Sequence, residues 1–176
     1  MKTNLRSKQI RFSKGEGFNL GKAKNLSEPF FKFARQLERP LVTPEPRHEY
    51  LKMNDKRQAH LKGQNGWIMR AHVEKGNRRR DAIKPGDLIA LDIDYGTPDY
   101  MERLLAGEIF PGIALVAHTT RSHTPESPRA RIFIPTKTKL PSDRYQAACR
   151  IVAQIGDPEM EFTDKVSARV AQMMYL

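Results

Sequence analysis

The sequence predicts an α+β fold, and three observations carry that prediction. From Trp67 onward, apolar runs of period two alternate with helical stripes, turn signals separate them, and the order reads strand, strand, helix, strand, strand, helix. With 176 residues, 39% of them hydrophobic, the chain can bury one real core, arranged as two lobes of one domain. No internal repeat is visible.

The first 24 residues are basic and glycine-punctuated, with Lys2, Arg6, Lys8, Arg11, Lys14, Lys22 and Lys24 against Glu16 alone. They read as a solvated arm or as a nucleic-acid contact, so residues 1–26 are set apart as a basic N-terminal segment and residues 27–176 as the folded domain. Ser27 offers an N-cap and Pro29 a first turn for a short helix carrying Phe30, Phe31, Phe33, Ala34 and Leu37. A second helical region from Pro46 through Leu61, closed by Gly63, carries Arg47, His48, Lys52, Lys56, Arg57, His60 and Lys62 as solubilising charge.

Gly66 to Val73 reads as a strand, followed by a turn and the cluster Arg78-Arg79-Arg80, placed to meet phosphates. The turn Lys84-Pro85-Gly86-Asp87 introduces the strand Leu88-Ile89-Ala90-Leu91-Asp92-Ile93-Asp94. Thr97 and Pro98 start a helix that ends at Gly107. Ile113 to His118 is the next strand and runs into a polar loop. In the following strand, Arg129 and Arg131 share one face while Ala130, Ile132 and Ile134 share the other. Ser142 caps a helix over Asp143 to Ile155, and Met173-Met174-Tyr175-Leu176 ends the chain as an apolar, strand-like segment. This order matches a split β-α-β, RNA-recognition-like plan with an antiparallel sheet and helices on one face.

Lys and Arg number 31 against 20 Asp and Glu, a formal net charge of +11. Such a balance favours a polyanionic partner. No apolar run approaches the roughly 18 residues that span a bilayer, and the N-terminus does not lead into a secretory signal. The expected setting is soluble and intracellular, with no membrane partner. The single cysteine, Cys149, excludes a disulfide framework and a cysteine-based zinc site within one chain. His48, His60, His72 and His118 show no zinc-ligand spacing.

Asp92 and Asp94 are the most informative residues. Side chains at i and i+2 of a strand point to one face, and two neighbouring carboxylates resist joint ionisation unless a cation sits between them. A pair of this kind also occurs in glycosyltransferases, nucleases and ordinary turns. Ser122, His123, Arg129 and Arg131 are donors suited to a triphosphate. Together these groups have the chemistry of metal-dependent nucleotidyl transfer, which depends on positioning and charge neutralisation.

The segment Leu88-Ile89-Ala90-Leu91-Asp92-Ile93-Asp94 resembles the first motif of the archaeo-eukaryotic primase superfamily, an apolar strand ending in Asp-x-Asp or Asp-x-Glu. Residues 117–135 are similar to the second-motif region of its phage and mobile-element branch, which reads Thr-Thr-x-Ser-His-Thr-Pro-Glu-x-Pro-Arg-x-Arg. Thr43-Pro44-Glu45, Glu49-Tyr50 and the Gly76-Asn77-Arg78-Arg79 turn resemble that branch's N-terminal module. Phe162-Thr163-Asp164-Lys165-Val166-Ser167 looks like the third motif, although an arginine common shortly before the Met-Tyr-Leu-like segment is here Gln172.

The resemblance implies an RNA-recognition-like catalytic core with an N-terminal α/β module, the two lobes flanking a metal and nucleotide cleft. It implies a DNA primase or primase-polymerase of phage or plasmid replication in a bacterial cytoplasm. Asp92, Asp94 and Asp164 would bind Mg²⁺ or Mn²⁺ in a two-metal site. His123 with Ser122 would contact the phosphates of a nucleoside triphosphate, flanked by Arg129 and Arg131, and Arg78, Arg79 and Arg80 would hold nucleic acid. Single-stranded DNA is the implied template, with a helicase domain or protein as a further partner. No Walker-type phosphate loop is present, and the chain reads as a catalytic-domain fragment of a longer protein. Two alternatives remain: a non-catalytic DNA-binding module of replication initiation, and a metal-dependent nuclease.

Overall fold

The computed structural model describes residues 7–17, 23–39, 41–74 and 79–176. Among these residues it is a mixed α+β structure with two antiparallel sheets and five α-helices. The first sheet has the order β2-β1-β3-β7, formed by β1 (Gln9–Gly15), β2 (Lys24–Pro29), β3 (Trp67–Met69) and β7 (Met174–Tyr175). The second has the order β4-β6-β5, formed by β4 (Gly86–Ile93), β5 (Val116–Thr119) and β6 (Ala130–Leu140). The strand around Trp67 pairs with β1 and β7, in a different sheet from the Asp92 strand.

The solvated-arm reading does not hold over Gln9–Gly15, because Ile10 and Phe12 alternate into the core. Two basic residues at its start are also matched: Lys8 and Arg11 lie 3.3 and 2.6 Å from the buried carboxylate of Asp87. Gly15 lets β1 pass over Trp67, whose ring would lie 2.4 Å from any Cβ placed there. Trp67 is fully buried.

Local helix signals are partly redistributed. Ser27 is paired with Arg11 in the sheet, so α1 (Phe30–Leu37) starts after Pro29. The region from Pro46 divides into α2 (Arg47–Lys52) and α3 (Asp55–Gln64), because Met53 is extended and the Asn54 side chain caps the second helix by accepting from Arg57 N at 2.9 Å. α4 (Pro98–Leu105) has the expected Thr97 cap. At α5 (Ser142–Gly156), Pro141 takes the N-cap position, and the Ser142 hydroxyl donates to Ile83 O at 2.9 Å.

The period-two pattern of β4 explains why the second sheet is covered on both sides. Ile89, Leu91 and Ile93, with Ala130, Ile132 and Ile134 of β6, pack with Tyr100 and Leu104 of α4 and Tyr145, Cys149 and Ala153 of α5. Leu88, Ala90, Phe133 and Val116 form the other face, against Ile10, Phe12, Phe30, Phe33 and Ile68. Burial pushes the Cys149 thiol up to about 11, as suits a packed apolar residue. No helix among the described residues is long and apolar enough to cross a membrane.

Candidate active site

Register places the polar groups on one face of the second sheet. Asp92 lies opposite Arg131, and Arg131 lies opposite His118, one residue from each of β4, β6 and β5. Asp92 is 7% exposed and Arg131 8%. Arg131 Nε and Nη2 both donate to Asp92 Oδ2 at 3.3 Å; Asp92 Oδ1 has no hydrogen bond of its own but lies in the same ion pair, 3.3 Å from Arg131 Nε. Two residues on, Asp94 Oδ1 is 3.6 Å from Arg129 Nη1. Gly96 allows the turn after Asp94 to approach this strand pair, since a Cβ there would meet Pro128 O at 2.9 Å.

A second backbone segment closes on the end of β4. Phe162 O accepts from the amides of Asp94 and Tyr95, Asp164 N donates to Asp92 O at 2.8 Å, and Ile93 bridges Thr163. The Asp92 amide donates to Ser167 Oγ at 2.8 Å. These bonds bring the third acidic residue to the first two. Burial, then the charge of Asp92, holds the Asp94 carboxyl above the usual range; Asp164 adds to this, while Arg129 and Arg131 oppose it. The Asp164 carboxylate itself caps a short 3₁₀ turn, Lys165–Ala168, by accepting from Val166 N at 2.9 Å.

The loop after β5 carries Ser122 and His123. Thr120 N donates to Arg129 O, His123 N donates to Thr120 O, and the Arg129 amide donates to His123 Nδ1 at 3.1 Å. Because Nδ1 is an acceptor, the proton of the neutral ring resides on Nε2, which is left as a donor. Burial and then Arg47 lower the His123 pKa, which favours that neutral form. Arg47 also donates to the His123 carbonyl.

Several contributing residues lie in the N-terminal region, and the sequence reading gave them other roles. Arg121 is 2.8 Å from Glu45 and stacks 4.1 Å over the Tyr50 ring, and Ser122 lies beside the Tyr50 hydroxyl. Lys62, read as solubilising charge, is half-buried on α3 and close enough to Asp92, Asp94, Arg129 and Arg131 to interact with each. Its signal was a lysine one residue past the buried Leu61. His118, facing Arg131, has its pKa lowered to about 4 by burial and then by that arginine.

Of the arginine cluster, Arg78 lies outside the described residues. Arg79 pairs with Asp81 at 2.8 Å, and Arg80, itself exposed, opens a 3₁₀ turn, Arg80–Ala82. Tyr95, next to Asp94, is 65% exposed.

The donor set bears on whether a metal fits. Among the described residues, no three His, Cys, Asp or Glu side chains are disposed to hold a metal ion as they stand. Asp92 and Asp94 nevertheless have hard-cation chemistry: one buried oxygen without a hydrogen bond, and one carboxyl resisting ionisation beside another.

Fold and site together define an α+β domain with carboxylates and arginines gathered at one end of a doubly covered sheet. The chain belongs to the VapE N-terminal domain family, whose profile matches residues 5–176. Among solved structures, it is similar to the AEP domain of the cyanophage S-2L primase-polymerase (PrimPol), with 11% identity and a TM-score of 0.48 over 98% of this chain and 74% of that one. The comparison with curated proteins gave no match.

Proposed function

We propose that this chain carries a template-directed nucleotidyltransferase of mobile-element DNA replication, a primase or primase-polymerase, with an RNA-recognition-like core in residues 27–176. The observation that supports this reading is the meeting of Asp92 and Asp94 with the Phe162–Asp164 backbone, beside Arg129, Arg131 and the His123 loop. Carboxylates and phosphate donors are thereby brought to one place, as phosphoryl transfer requires.

In this mechanism Asp92, Asp94 and Asp164 would hold Mg²⁺ or Mn²⁺, which when bound would supply charge neutralisation for the triphosphate and activation for the attacking hydroxyl. His123 Nε2–H donates to a phosphate oxygen of the incoming nucleotide, and its orientation is set by the Arg129 amide. Ser122, Arg129 and Arg131 supply further donors to the same group, and Lys62 adds positive charge. Arg129 and Arg131 are held by the carboxylates until nucleotide enters. Arg78, Arg79 and Arg80 would contact the single-stranded DNA template. A helicase domain or protein would supply unwinding, in the cytoplasm of a bacterial host.

The protein is to be incubated with single-stranded DNA template, labelled nucleotides and Mg²⁺ or Mn²⁺, with and without primer, beside the Asp92→Ala/Asp94→Ala variant. Template-dependent products are expected, reduced by at least about 10³-fold in the variant. Products formed without primer make it a primase. Absence of products from a folded, nucleotide-binding protein overturns the catalytic reading, and strand cleavage would indicate a nuclease.

One observation favours a non-catalytic DNA-binding module. Asp92 and Asp94 each have an arginine partner already, as structural ion pairs do. Salt-sensitive DNA binding that survives the double substitution and needs no metal would select that reading.

A further inference from the structure

Asp157 follows the last residue of α5 and is 2% exposed. A negative charge at a helix C-terminus faces the unfavourable end of the macrodipole, and no Lys, Arg or His side chain forms an ion pair with it among the described residues. Its partners are three consecutive backbone amides. Oδ1 accepts from Glu161 N at 2.9 Å, and Oδ2 accepts from Phe162 N at 2.9 Å and Thr163 N at 2.8 Å.

The peptide gripped on this side is the one that meets the end of β4 on the other. Phe162 O accepts from Asp94 N and Tyr95 N, Thr163 bridges Ile93, and the next residue is Asp164, whose amide donates to Asp92 O. The turn between Asp157 and this peptide needs external support. Met160 within it has φ 55°, a left-handed conformation that a residue with a Cβ avoids.

Resting on the proposed metal-dependent reaction, we infer that Asp157 is a positioning residue: its carboxylate sets the Glu161–Thr163 backbone and so holds Asp164 in register with Asp92 and Asp94. It touches neither nucleotide nor metal. A side chain that orients a metal ligand through the backbone acts on metal affinity, and loss of such support typically costs 10- to 100-fold.

The test compares the parent with Asp157→Asn, Asp157→Ala and Asp92→Ala/Asp94→Ala. Amide hydrogen exchange at residues 161–164, Mn²⁺ binding by titration calorimetry, and primer extension across a Mn²⁺ series are measured. Both Asp157 variants are expected to exchange faster at 161–164 and to bind Mn²⁺ about tenfold or more weakly, with Asn the milder. Their KM for Mn²⁺ should rise while kcat recovers at saturating metal. Adding Met160→Gly to Asp157→Asn should restore part of the affinity, because the turn then forms without strain.

Folded variants with unchanged Mn²⁺ affinity would overturn the inference and leave Asp157 as a stabiliser of the loop alone. Should Asp157→Ala fail to fold, Asp157→Asn decides. A parent that binds Mn²⁺ through Asp92 and Asp94 but makes no product would end the polymerase reading, while the binding and exchange data would still judge Asp157. A parent that binds no Mn²⁺ overturns both.

Discussion

The strand end that carries Asp92 and the loop that carries His123 lie on one site but are built by opposite means. Asp92 is held by backbone ladders on β4, by a buried arginine across the ladder, and by the Asp164 amide. The loop closes on itself through Thr120, His123 and Arg129, and is tied to the N-terminal region by side chains: Arg47 to the His123 carbonyl, Glu45 to Arg121, and Tyr50 beneath the Arg121 guanidinium. A strand end positioned in this way is coupled to global stability. A loop tied by a few polar contacts can be loosened while the core stays intact.

The largest effect that would break this contrast is at Arg131. Arg131→Leu leaves Asp92 buried without its partner, and a loss of about 3–5 kcal/mol in urea unfolding is expected. Adding Asp92→Asn should recover most of that loss. If the single substitution leaves the urea midpoint unchanged, the strand end is not coupled to stability as described.

At the loop the pattern reverses. Glu45→Gln should lower the urea midpoint only slightly, because the pair is partly buried and the Gln side-chain oxygen can still accept from Arg121. Nucleotide kcat/KM should fall by roughly 10- to 100-fold through misplacement of Ser122 and His123. Equal loss of stability and turnover would place the loop in the same structural class as the strand end.

The smallest effect is one of pH. The Asp94 carboxyl is held above the usual range by burial and by Asp92, so the folded state binds a proton that the unfolded chain has lost. Stability is therefore greater at low pH in this respect and declines as pH rises from the ordinary aspartate value to the raised one. Arg129 opposes that shift. Arg129→Ala should move the acidic limb of the pH–rate profile to higher pH, and an unmoved limb would separate Asp94 from the rate-determining ionisation.

The same contrast separates what the sequence shows from what it hides. The Asp92 strand is legible because a period-two apolar run fixes which side chains share a face. Arg129 and Arg131 follow by the same parity. The membership of β1 was not legible: seven lysines and arginines against one acid in the first 24 residues obscured the Ile10 and Phe12 alternation, and Asp87, which matches Lys8 and Arg11, lies more than 70 residues away. The role of Lys62 and the pairing of Glu45 with Arg121 were not legible for a related reason. Both come from contacts across the fold, and no local spacing reports a partner at that distance. The Asn54 cap was readable in principle, since Asn54 followed by Asp55 and a helical stripe is a start signal within what looked like one helix.

Trp67 is the sole tryptophan, and it lies in the first sheet beneath the cleft in side chains that Gly15 provides. Its emission is an optical reporter of that sheet alone. A chain whose carboxylate end had come apart would keep a blue, shielded spectrum as long as β1 and β3 stayed joined. Fluorescence and site-directed probes thus follow different parts of the molecule, and the interval between their two melting curves measures how far one sheet can open without the other.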